Sequence, residues 1–136
     1  MKLLSPRAHG LCDLVLVSAL VAAPAWLGFG PAAALTSLAL AAVWLAVTLL
    51  TSSPLGLVHQ VPLSVHGVLE LALSLALVVL PWIVDFARHR SARNFFVISG
   101  VLLFAVWLLT DYATAPHENS REDDASGHVP TAAPRH

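Results

Sequence analysis

His9-Gly10-Leu11-Cys12-Asp13-Leu14-Val15-Leu16 returns 57 residues later as His66-Gly67-Val68-Leu69-Glu70-Leu71-Ala72-Leu73. The same shift lays Ala19-Leu20-Val21 on Ala76-Leu77-Val78, Pro24 on Pro81 and Phe29 on Phe86. Apolar composition alone accounts for matched Leu and Ala. It does not align a His-Gly pair, an acid and a proline at one spacing. The chain is therefore read as one unit made twice. Ala42-Val43-Trp44-Leu45 resembles Ala105-Val106-Trp107-Leu108 at a shift of 63, which puts six extra residues in the second unit's connector.

Each unit lies in a strongly apolar chain. Of 136 residues, 57% are hydrophobic and 11% charged, against about 25% charged in soluble domains. No Asp, Glu, Lys or Arg occurs between Asp13 and Glu70. This excludes a water-soluble enzyme. The 7 Lys and Arg against 8 Asp and Glu leave no basic surface for nucleic acid. A single cysteine, Cys12, excludes a disulfide framework or a CxxC metal site.

A helix crosses a bilayer core with about 20 mostly apolar residues. Four stretches fit, from about Leu11 to Phe29, Ala32 to Leu50, Val68 to Phe86 and Phe95 to Thr110, the last being short. Gly28-Phe29-Gly30-Pro31 is a tight turn, so the first two spans form a hairpin. Arg88 to Arg93 is a basic connector, and from Ala113 the chain turns Pro-, Ser- and acid-rich, the composition of a disordered tail. The expected architecture is an all-α bundle of four transmembrane helices. Residues 1–57 form the first two-helix repeat, 58–112 the second and 113–136 the tail. Two spans per unit make both units enter the membrane from one side, related by a pseudo-two-fold axis along its normal. Lys2, Arg7 and Ala23-Pro24-Ala25 mimic a cleavable signal peptide, but Asp13 inside the apolar run and the repeat itself argue against cleavage.

Pro24-Ala25-Trp26 and Leu80-Pro81-Trp82 close the first span of each unit. This arrangement resembles the bacterial SPW-repeat membrane proteins, over about residues 7 to 112, although neither copy carries the serine and Ala25 separates Pro24 from Trp26. The resemblance implies a four-helix membrane protein with no established activity and no catalytic residues. Independently of it, proline near a span's end stops or bends the helix, and Trp26 and Trp82 are expected as interfacial anchors. Trp44 and Trp107 are expected in the packed core. Small residues four apart (Ala33, Ser37 and Ala41; Ser18 and Ala22; Ala72 and Ala76) offer routes for close helix approach in lipid.

The chemistry concentrates in the repeat's polar end. His9 and Asp13 lie one helical turn apart, as do His66 and Glu70. Ionisable groups drawn into a membrane turn inward or pair. Duplication puts two imidazoles and two carboxylates at one depth, with helices one and three facing across the axis. Such a set suits a divalent transition metal, a proton relay, axial ligation of haem, or a structural pairing near the helix dipole. Ser74 extends the second stripe, without a counterpart at Val17. Cys12 reads as an inert buried thiol, His59 as a solvated loop residue, and Asp85 as a solvated end charge. Arg88, Arg90 and Arg93 read as topology determinants that touch lipid headgroups. No HExxH, GxSxG or phosphate-loop pattern occurs.

These readings point to a small non-enzymatic inner-membrane protein, structural or accessory, without a required cofactor. The alternative is a proton- or metal-handling protein using His9, Asp13, His66 and Glu70. Its partners are the bilayer and a second copy or a larger membrane complex. Three basic residues on each side leave the positive-inside rule balanced; the first helix's charges favour cytoplasmic termini.

Overall fold

The computed structural model describes residues 6–51 and 61–110. Four helices make up nearly all of that chain: α1 (Pro6–Trp26), α2 (Pro31–Leu50), α3 (Leu63–Ile83) and α4 (Arg90–Leu109). Each is long and apolar enough to cross a membrane. α1 packs along α2 and α3 along α4, while contacts between the two hairpins are sparser. The expected four-helix architecture of two tandem hairpins is therefore present. The 113–136 tail and His59 lie outside the described residues.

The helix bounds differ from those expected from hydropathy. α1 and α3 begin about one turn upstream of their apolar runs, so His9, Asp13, His66 and Glu70 sit inside helices rather than at their edges. Both also end sooner, at Trp26 and Ile83. The reason is a repeated Schellman stop. Gly28 and Asp85 take the left-handed conformation (φ 63° and 58°). The Phe29 N–H then reaches back to the Pro24 carbonyl at 3.0 Å, and the Phe86 N–H to the Pro81 carbonyl at 2.9 Å. Pro31 follows Gly30 at the first position of α2, where its missing N–H is harmless. α4 is a full 20 residues, since Arg90, Arg93 and Asn94 form its first turns.

Pro24 has a second consequence. Without an N–H it leaves the Leu20 carbonyl with no donor from its own helix. Ser37 of α2 fills that position, its Oγ donating to Leu20 O at 2.6 Å in a buried contact. Ser37 belongs to the stripe Ala33, Ser37, Ala41, which is buried as its spacing predicts. Ser18 and Ala72 are exposed, so the other two small-residue stripes do not seam helices together.

Four of the five buried positions of α2 (Ala33, Ser37, Ala41, Trp44) match those of α4 (Ala92, Phe96, Gly100, Leu103) at a shift of 59, the fifth, Thr48, falling on half-buried Trp107. The helix bounds pair at that same shift. This corrects the shift of 63 drawn from Ala-Val-Trp-Leu. The two alignments differ by four residues, about one turn, so either keeps an apolar face apolar. Burial separates them. Trp44 corresponds to Leu103, and the second connector is two residues longer rather than six. Trp44 is buried, whereas Trp107 is half-buried and stacks on Phe104 with ring centroids 5.8 Å apart.

At the connector end, Phe29 of the first hairpin meets Phe95 and Phe96 of the second at 5.6 and 6.2 Å, and Phe86 meets Phe96 at 5.0 Å. Trp26 is 87% exposed and Trp82 58%, with Arg88 and Arg90 exposed at the same end. Large apolar side chains such as Leu35, Val68 and Ile83 face outward. That surface suits lipid rather than water.

Candidate functional site

The opposite end of the bundle carries the N-terminal turns of α1 and α3 and the C-terminal ends of α2 and α4. His9, Asp13, His66 and Glu70 meet there. Their side chains are 0–3% exposed. Asp13 Oδ2 lies 3.2 Å from His66 Nε2 and 3.5 Å from His9 Nε2. Glu70 Oε2 lies 3.5 Å from His9 Nε2. The two imidazoles pack edge to face, with centroids 5.4 Å apart at 80°. The four residues that duplication singled out thus converge across the axis from two helices.

Three further side chains complete the cluster. Trp44 of α2 donates its indole N–H to Asp13 Oδ1 at 3.1 Å and lies against the His66 ring at 5.1 Å. Thr51, the residue that ends α2, lies 2.9 Å from His66 Nδ1. Thr110, which ends α4, lies 3.1 Å from His9 Nδ1. Both threonines are buried and occupy equivalent places under the shift of 59. A carboxylate left in apolar surroundings without donors is costly; here Asp13 accepts from the Trp44 indole N–H and lies against both imidazoles.

The threonines bear on which nitrogen of each imidazole carries hydrogen. A hydroxyl has one proton to donate. Thr51 donates it to the Val47 carbonyl at 2.6 Å, and Thr110 donates its own to the Val106 carbonyl at 2.8 Å. With its proton on the carbonyl, each hydroxyl accepts toward histidine, the arrangement in which Nδ1 carries hydrogen in both rings. Both Nε2 atoms, the positions available for a proton or a metal ion, face inward to the carboxylates.

Donor atoms of His9, His66 and Glu70 lie within 4.8 Å of one another. Asp13 bridges the two Nε2 atoms. A haem iron would need those nitrogens on opposite faces of a flat macrocycle, whereas both approach the same Asp13 oxygen. A single small ion suits the arrangement better. On their far side both threonine hydroxyls lie against helix carbonyls.

The other sequence candidates lie elsewhere. Ser74 donates to its own helix at Leu71 O, 2.7 Å away, and does not join the cluster. Cys12 is half-buried and lines an apolar groove with Leu16 and Leu103. Arg93 holds Asn94 Oδ1 at 3.2 Å at the far end of the bundle, near exposed Asp85. Sequence reading missed Trp44, Thr51 and Thr110 as parts of the site. The available signal was a threonine closing each unit's second span, visible only in the register that the packing reveals. Comparison with family models, curated proteins and solved structures returns no match for this chain.

Proposed function

We propose that this multi-pass membrane protein holds one divalent transition-metal ion between its two hairpins, through His9, Asp13, His66 and Glu70. The observation that carries the reading is the inward convergence of both Nε2 atoms on two carboxylates, with each Nδ1–H anchored outward. Metal-bound histidines are commonly oriented this way. Three of the six donor pairs, His66–Asp13, His9–Asp13 and His9–Glu70, lie 3.2–3.5 Å apart, close to the edge of a tetrahedron of donors about 2.0–2.1 Å from a zinc ion, roughly 3.3 Å. Two carboxylates and two neutral imidazoles also balance a divalent charge, which a low-dielectric interior requires.

Four protein donors fill a tetrahedral shell, as in structural zinc sites; catalytic sites keep a position open. The ion's role in this reading is to join the hairpins, and the protein is non-enzymatic, structural or accessory within a membrane complex. Its resemblance to SPW-repeat proteins and residence in the inner membrane with cytoplasmic termini belong to the same reading. A metal-free clasp, in which the imidazoles and carboxylates pair directly, is the alternative favoured by the 3.2 Å contact between His66 and Asp13.

Elemental analysis separates the two. The full chain, purified in detergent, stripped with chelator and re-equilibrated with zinc, should retain about one ion per chain. His9→Ala/His66→Ala, shown by circular dichroism to keep its helicity, should retain under a tenth of that. Equal content in both proteins removes the metal reading and leaves the clasp.

A further inference from the structure

The hydrogen bonds that orient the two imidazoles cross between hairpins in both directions. His66, on the second hairpin, is held by Thr51 of the first. His9, on the first, is held by Thr110 of the second. Within each hairpin, the threonine lies at the end of the returning helix and its hydroxyl proton is fixed on the carbonyl four residues back. Among the described residues, each imidazole's Nδ1 meets a threonine of the opposite hairpin.

We infer that Thr51 and Thr110 are positioning residues for the bound ion, each fixing the Nδ1–H tautomer of the opposite hairpin's histidine, so that ion binding and hairpin docking are one linked event. This rests on the metal reading for its function, while the tautomer itself is a property of the ion-free protein. The chemistry is direct. A neutral imidazole offers a metal the nitrogen that lacks hydrogen. With Nδ1–H held by threonine, Nε2 is the ligand, and both Nε2 atoms already face Asp13 and Glu70. Remove the acceptor and the ring is free to place hydrogen on Nε2, against the carboxylates, where it blocks the ion. Such outer partners change metal affinity by about 10–100-fold.

Linkage follows from the crossing. Separating the hairpins takes Thr51 from His66 and Thr110 from His9 together, along with the contact between His66 and Asp13. An ion that binds the docked state stabilises docking in proportion to its affinity, and docking supplies the affinity. Thr51 is further tied to the start of α3. It bridges to Val61, whose N–H donates to Leu50 O at 2.9 Å.

The test uses the full chain in nanodiscs with Thr51→Val, Thr110→Val and Thr51→Ser. In chelator-treated protein, nitrogen NMR of the imidazoles should show Nδ1–H at both His9 and His66. Thr51→Val should shift the His66 pattern and leave His9, with the converse for Thr110→Val. Zinc affinity should fall about 10–100-fold in each valine variant and return to within threefold in Thr51→Ser. A His66 pattern unchanged by Thr51→Val overturns the inference, as does an affinity within threefold of wild type. If the wild type takes up no zinc, the metal reading falls, and the two valine spectra alone decide whether the threonines set the tautomers.

Discussion

Asp13 and Glu70 occupy the same place in the two hairpins, yet Asp13 lies against both imidazoles and an indole N–H. Glu70 reaches across to His9. The difference follows from two substitutions between the repeats. Glutamate is longer by one methylene, and Trp44 is replaced by Leu103, which has no hydrogen to donate. A duplicated site has thus become asymmetric around one bridging carboxylate.

Trp44→Phe should therefore destabilise the protein by about 1–3 kcal/mol, because it strips a donor from a buried carboxylate. Trp107→Phe should change stability by about 0.5 kcal/mol or less, as expected for a half-buried residue outside the cluster. Thermal unfolding in detergent measures both. Equal losses would mean that the two tryptophans are equivalent after all, and the shift of 59 between α2 and α4 would be wrong.

Ser37 and Pro24 make a second pair. Ser37→Ala should cost about 1–2 kcal/mol by leaving the buried Leu20 carbonyl without a donor. Pro24→Ala supplies an N–H at the right place in α1. In the Pro24→Ala background, Ser37→Ala should therefore cost less than half as much. A double-mutant cycle reads this coupling directly. Strict additivity would show that Ser37 contributes through packing rather than through its hydrogen bond.

These two cases mark what the sequence disclosed and what it did not. Spacing along one helix was legible, so the hairpin repeat, the His–acid pairs and their common depth could be read from residues 9, 13, 66 and 70. Contacts between helices were not. Trp44, Thr51 and Thr110 enter the site from helices whose rotation no spacing within a single span reveals. The identical tetrapeptides at Trp44 and Trp107 even pointed to the wrong register, since one turn of slippage preserves hydrophobicity. The starts of α1 and α3 were hidden for a related reason. Hydropathy puts a span's edge where the apolar run begins, whereas polar residues paired across the axis are accommodated upstream of it inside the helices.

The two Schellman stops offer a test of backbone strain with little side-chain interference. Gly28 has φ 63° and open space where a Cβ would lie, so Gly28→Ala meets only the left-handed penalty, roughly 1–2 kcal/mol. Asp85 bears that conformation already at φ 58°. Asp85→Gly should stabilise the protein by up to about 1 kcal/mol. Opposite signs in the two melting temperatures are the expected result. A loss from both would point to a contact of the Asp85 carboxylate that outweighs the relief of strain.

Gly100 poses the opposite problem, space rather than conformation. A Cβ there would come within 2.7 Å of the Ser74 carbonyl and 2.8 Å of Val78 Cγ2. The first obstacle is backbone and cannot turn aside. Gly100→Ala should therefore push α4 from α3 and cost about 1–3 kcal/mol, although alanine is the better helix former. The equivalent residue in the first hairpin is Ala41, buried without such a clash. Because α4 also carries Thr110 to His9, the same displacement should weaken zinc retention, whereas Gly28→Ala, at the far end of the bundle, should leave it unchanged. A Gly100→Ala protein as stable as wild type would show that the second hairpin is packed less closely than its geometry indicates.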